Sequence, residues 1–69
     1  MKIINITNDS IKLGQAMKLT NLVEKGADAK FLLQKNLVKV NGEIEVRRGS
    51  KLYVGDVFSF YGKNVKIVQ

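Results

Sequence analysis

Leu37-Val38-Lys39-Val40-Asn41-Gly42-Glu43-Ile44-Glu45-Val46-Arg47-Arg48 decides how this chain folds. The stretch combines alternating β-branched residues, an Asn-Gly turn signal and an Arg pair. The residues before it have helical periodicity with a basic face, and those after it alternate as further sheet. A two-residue Asn41-Gly42 loop would set Val40 opposite Glu43 and Val38 opposite Glu45, apolar against charged. For Val38 to share a face with Ile44 and Val46, the loop must contain an odd number of residues. The expectation is therefore a three-residue turn, with Gly42 left-handed and a bulge, rather than a plain type I′ hairpin. Val38, Ile44 and Val46 would then face the core, and Lys39 and Arg47 would project outward.

Downstream, Gly49-Ser50-Lys51 turns the chain and Leu52 returns to the core. Val54-Gly55-Asp56-Val57 is a turn followed by a strand, with Asp56 a turn residue. Phe58 and Phe60 alternate inward, as do Val65 and Ile67. A two-residue Gly62-Lys63 loop would pair Phe60 with Val65 and Phe58 with Ile67.

Upstream, Lys2 to Thr7 is a short edge strand with Ile4 and Ile6 on one side, ended by the polar turn Asn8-Asp9-Ser10. A helix fits Leu13 to about Val23. Its apolar face is Leu13, Ala16, Met17, Leu19, Thr20 and Val23, with Gly14, Lys18, Asn21 and Lys25 opposite. Glu24-Lys25-Gly26 closes it, Gly26 serving as a left-handed cap. A second helix runs from Ala27 to Lys35, burying Ala29, Leu32 and Leu33 and showing Lys30 and Gln34 to solvent. Asn36 stops it in the left-handed conformation. Phe31 lies off the apolar stripe and is expected to cover the edge of the N-terminal strand; the alternative is a ring for base stacking. The fold class is α+β, two short helices packed on a small antiparallel β-sheet, in one domain over residues 1–69.

Bulk composition narrows the function. The 69 residues hold twelve Lys and Arg against six Asp and Glu, a net charge of +6, with neither cysteine nor histidine. Disulfides, thiolate or imidazole metal sites and the commonest general base are all excluded. The carboxylates are scattered, Glu43 and Glu45 are expected in solvent, and no phosphate loop of Walker spacing is present. A binding module without catalysis, cofactor or metal is expected. No apolar run is long enough for a bilayer, which with the lack of a leader pattern makes a cytoplasmic protein the default.

Such a charge imbalance points to a polyanion. The candidate contacts are Lys18, Asn21 and Lys25 from the first helix and Lys30 and Gln34 from the second. Lys39, Asn41, Arg47, Arg48 and Lys51 join them from the hairpin region. Ten Lys to two Arg favours backbone phosphate contacts, with the Arg pair as the specific anchor. Phe58 and Phe60 are needed in the core, leaving Tyr53, Tyr61 and Phe31 for stacking. That balance favours structured RNA over a splayed single strand. An acidic protein partner and duplex DNA are the alternatives.

The order of elements resembles the RNA-binding domain named after ribosomal protein S-four. The resemblance rests on Ala29-Lys30 in the second helix, then Leu37-Val38-Lys39-Val40-Asn41-Gly42, then Gly55-Asp56 before an apolar strand. More narrowly, it is similar to a small single-domain bacterial subgroup. That likeness runs through Leu13-Gly14-Gln15-Ala16-Met17-Lys18-Leu19, Asn41-Gly42-Glu43, Glu45-Val46-Arg47-Arg48-Gly49, Lys51-Leu52 and Gly55-Asp56-Val57, spanning residues 11–61. The resemblance implies an alpha-L fold whose helix pair and hairpin form a basic L-shaped face for ribosomal or transfer RNA. By position it implicates Lys18, Lys30, Lys39, Asn41, Arg47, Arg48 and Lys51. The expected partner is the ribosome or an assembly intermediate, and the expected state is a monomer. Two departures concern stability: Lys12 stands where a capping hydroxyl would suit the helix start, and Asn36 where the family often has Gly.

Overall fold

The computed structural model describes residues 1–20, 23 and 26–69. Strand β1 (Lys2–Asn5) and the short β2 (Ser10–Lys12) precede helix α1 (Leu13–Leu19) and helix α2 (Gly26–Gln34). Strands β3 (Lys39–Val40), β4 (Glu43–Ile44), β5 (Lys51–Tyr53), β6 (Val57–Phe60) and β7 (Lys63–Val68) follow. Five strands make one sheet in the order β1-β7-β6-β3-β4, and β2 with β5 makes a separate two-stranded ribbon. The α+β class holds, with one amendment: β1 lies parallel to β7, so the sheet is mixed. As expected, β1 is an edge strand; it buries Ile4, and Ile6 is buried just beyond its end.

One apolar cluster joins all these parts. Leu13, Ala16 and Met17 from α1 and Ala29, Leu32 and Leu33 from α2 meet Val38, Phe58, Phe60, Val65 and Ile67 from the sheet, with Ile11 and Leu52 from the ribbon. Helical spacing correctly picked the stripe of α2. On α1 it overreached: Leu19 is exposed, and the helix ends there, not at Val23. Thr20 is the reason in view, since its hydroxyl and its N–H both donate to the Met17 carbonyl. Gly26 opens α2 instead of closing α1. The expected tail of the first helix through Leu22, Glu24 and Lys25 lies outside the described residues.

Helix α2 ends as its sequence suggests. Asn36 takes φ 60, the Leu37 N–H donates to the Leu32 carbonyl, and the Asn36 N–H donates to that of Leu33. These are the paired bonds of a Schellman motif, and Asn serves there in place of Gly. Phe31 is exposed, its ring 5.7 Å from the ammonium of Lys35 just past the helix end.

Both hairpins correct the sequence-based register. Asn41 at φ 52 and Gly42 at φ 86 are both left-handed, the mark of a two-residue type I′ turn. Val40 faces Glu43 and Lys39 faces Ile44, so neither the three-residue loop nor the bulge forms. Ile44 and Val46, expected inside, are 56% and 54% exposed. β4 is a two-residue edge strand beyond the core, so its apolar side chains are not obliged to face inward, and turn chemistry sets the register. The second hairpin turns at Tyr61-Gly62 (φ 53 and 69), one residue before the expected Gly62-Lys63. Glycine in each case takes the second turn position. Phe60 therefore faces Lys63 and Phe58 faces Val65. A shift of one turn residue moves the register by two, so the inward set of Phe58, Phe60, Val65 and Ile67 survives, and all four are buried.

A Cβ added at Gly42, Gly62 or Gly49 would meet no atom within 4 Å, yet only Gly42 and Gly62 have positive φ. Gly42→Ala and Gly62→Ala should each cost about 1–2 kcal/mol of backbone strain. Gly49→Ala should stay within about 0.5 kcal/mol. Urea unfolding of the three variants measures this, and equal losses at all three would contradict the turn assignment.

Candidate nucleic-acid interface

The start of α1 organises the basic side chains. Its N-terminal flanking residue, Lys12, makes no side-chain cap. The loop after β4 does that work instead: the Leu13 N–H donates to the Ser50 carbonyl at 2.8 Å and the Gly14 N–H to that of Arg48 at 2.9 Å. Two of the donors that a helix start leaves unsatisfied are thereby met. Gly14, expected on the polar face, is buried under the stem of Arg48. A Cβ at Gly14 would lie 2.7 Å from the Arg48 Cγ, so only glycine lets that stem lie across the helix.

This contact leaves an open cleft of about 600 Å³ lined by Lys12, Gly14, Gln15, Lys18, Ala29, Arg48 and Gly49. Three cations converge on it from the ribbon, α1 and the loop. Lys12 also sits directly opposite Lys51 in the β2–β5 ladder. Like charges facing each other across strands destabilise a ribbon, and among the described residues the sole ion pair lies elsewhere, between Arg47 and Glu45. Lys12 was missed as a contact by sequence reasoning, which placed it at the helix start and assigned only Ser10 of β2, to a turn, so that the facing lysines went unseen.

The other candidates divide. Lys18 and Arg48 line the cleft, Lys51 sits beside it opposite Lys12, and Lys30 and Gln34 are exposed on α2 without lining it. Asn21 and Lys25 lie outside the described residues. Lys39 is exposed on the sheet, opposite Ile44 on one side and Ser59 on the other. Asn41 is engaged internally: its side-chain amide donates to Asp56 at 3.2 Å, and its carbonyl accepts the Val57 N–H at 3.0 Å. Asp56 also accepts the Tyr53 N–H at 2.8 Å, tying the Asn41 turn to the β5–β6 turn.

The Arg pair is not symmetric. Glu45, expected in solvent, has a side chain only 16% exposed. Its carboxylate accepts the Val46 and Arg47 N–H groups at 2.9 and 3.2 Å and the Arg47 guanidinium through Nε and Nη2, both at 3.3 Å. Hydrogen bonds from Arg47, then Ser50, hold the Glu45 carboxyl down to about 2 against an ordinary 4.5. Arg47 is pushed up in return by that bond and by the Glu45 charge. Arg47 is thus occupied within its own loop, while Arg48 lines the cleft with its stem over Gly14.

A carboxyl depressed on folding adds stability above its unfolded value that is lost as pH falls through its folded one. The protein should therefore lose thermal stability from about pH 4.5 down to about 2. Glu45→Gln should flatten that stretch of the profile of midpoint against pH. An unchanged slope in the variant would mean that Glu45 does not anchor the loop.

Comparison with known proteins places the chain in a family. The family model described as "S4 domain" matches residues 4–68. Over 59 residues the chain is 46% identical to "Probable ribosome maturation protein RlbA" of Bacillus subtilis (strain 168), covering 86% of this chain and 83% of that protein. Over 58 residues it is 36% identical to "Putative RNA-binding protein YbcJ" of Escherichia coli (strain K12), covering 84% and 83%. The solution structure of YbcJ from E. coli, described as revealing an alfaL motif involved in RNA-binding, superposes with a TM-score of 0.76 at 31% identity, over 100% of this chain and 89% of that one. With a bare basic cleft at the junction of helix pair and hairpin, and a family match along nearly its whole length, the chain belongs to the S4 domain family.

Proposed function

We propose that this protein binds structured RNA, ribosomal or transfer, through the cleft at the start of α1, and that it acts in ribosome maturation or translation in the cytoplasm. The observation that carries the proposal is the unneutralised convergence of Lys12, Lys18 and Arg48, with Lys51 facing Lys12. A folded domain that sets lysines against each other gives up stability unless an anion bridges them. The names of the RlbA and YbcJ relatives support an RNA partner and a link to the ribosome.

The mechanism is phosphate neutralisation by the lysines, with the Arg48 fork fixing register and the angle between helices and hairpin selecting shape. Arg47, tied to Glu45, shapes the loop, and Asn41 holds the turn. Among the described residues no three or more His, Cys, Asp or Glu are placed together to hold a metal. No helix among them is long and apolar enough to cross a membrane.

Filter binding to folded ribosomal RNA and transfer RNA across a salt series tests this. Lys18→Ala and Arg48→Ala should each weaken binding and lower the salt slope by about 1, because each removes a phosphate contact. Arg47→Ala should do less, as its fork is already engaged. A salt-independent affinity would overturn the proposal, as would equal competition by the same mass of duplex DNA.

A further inference from the structure

The cleft does not account for the opposite, helix-free face of the sheet. There Lys39 lies between Ile44 on β4 and Ser59 on β6, and Ser59 faces Asn64 on β7. Leu37 is two residues before Lys39, and Val46 two beyond Ile44, so strand alternation carries both onto this same face. The Glu45 N–H, donating to the Val38 carbonyl at 3.0 Å, continues the β3–β4 register and brings Val46 opposite Leu37. Leu37 and Tyr61 border a groove with Lys39, Ser59 and Asn64, and share no lining residue with the basic cleft. The four apolar side chains around Lys39 are each more than half exposed, Leu37 at 51% and Tyr61 at 62%. A small monomeric domain seldom leaves such a group open without a use for it.

We propose that this face is a second docking surface, taken by a protein segment that presents aliphatic side chains around a carboxylate. Lys39 dictates the carboxylate. Covering the patch desolvates its ammonium, and a buried charge left unpaired is strongly unfavourable. Among the described residues no carboxylate pairs with Lys39, and those nearest in the fold are turned elsewhere: Glu43 pairs with Val40 on the other face, Glu45 holds Arg47, and Asp56 holds Asn41. A second copy fits poorly, because it would bring another Lys39 and another net +6 against the first. RNA fits less well, since of the four exposed side chains only Tyr61 offers a ring or a hydrogen bond, and Leu37, Ile44 and Val46 offer neither. The protein so equipped would hold RNA with one face and a protein with the other.

The test uses the full chain in its own host, with Tyr61 replaced by the photocrosslinker p-benzoylphenylalanine and, in parallel, Lys18 replaced by the same group. The Tyr61 position should yield protein adducts that persist after ribonuclease and map to a segment mixing aliphatic and acidic residues. Lys39→Glu should cut their yield by roughly thirtyfold, as expected for reversing one member of a desolvated charge pair. Exchanging the mapped carboxylate for Lys should restore them. Ile44→Ser with Val46→Ser should abolish the adducts while RNA affinity stays unchanged. Adducts to RNA, adducts to another copy of this chain, adducts indifferent to Lys39→Glu, or none at all would each overturn the proposal. The Lys18 adducts speak separately to the RNA-binding cleft, so either assignment can fail alone.

Discussion

Two backbone hydrogen bonds, from Leu13 to Ser50 and from Gly14 to Arg48, hold the basic cleft of this molecule together. Helix α1 has seven residues, too few to persist alone, and no side-chain cap at its start. It exists because the loop after β4 supplies the missing acceptors. That loop is itself braced by Glu45, whose carboxylate gathers two backbone N–H groups and the Arg47 guanidinium. A chain of dependence therefore runs from the edge of the sheet, through one glutamate, to the helix that forms the cleft wall. The absence of a side chain at Gly14 completes it by letting the Arg48 stem lie flat.

How much of this was legible in the sequence depended on which forces are local. The α2 stripe of Ala29, Leu32 and Leu33, its Asn36 stop and the inward Phe58, Phe60, Val65 and Ile67 could be read, because spacing and residue chemistry specify them directly. Burial at Ile44 and Val46 could not. Apolar character was taken to imply an inward side chain, whereas on a two-residue edge strand the left-handed pair Asn41-Gly42 overrides it. Strand β2 was invisible because its three residues acquire meaning only against β5, forty residues on. The cleft suffered most from this. Lys18 and Arg48 were named, but Lys12 and the reason for Gly14 depend on contacts that no local pattern encodes.

The same distinction separates the two arginines. Adjacent in sequence, they have opposite situations: Arg47 is neutralised by Glu45 and shapes the loop, while Arg48 lends its stem to packing and keeps its charge at the cleft. A carboxylate placed one residue before Val46 thus decides which of two neighbouring cations remains available. Asn41 makes a parallel case. Its side chain resembles a contact residue by type, yet it serves to lock the β3–β4 turn onto the Asp56 turn.

Stability and binding are consequently linked through the same side chains. A domain of 69 residues at +6 repels itself, and facing Lys12 with Lys51 concentrates that repulsion where the ribbon braces α1. With the cleft as the proposed site, removing those charges would relax the fold and weaken its attraction for a polyanion at once. A polyanion held in the cleft relieves the repulsion only in the folded state, where the loop has assembled the cations around Gly14. Part of its affinity is then the release of strain that the unbound protein carries, and that share returns to the fold as stability. The few stabilising bonds of the loop therefore matter twice, since they maintain the helix and maintain the repulsion that a bound anion removes.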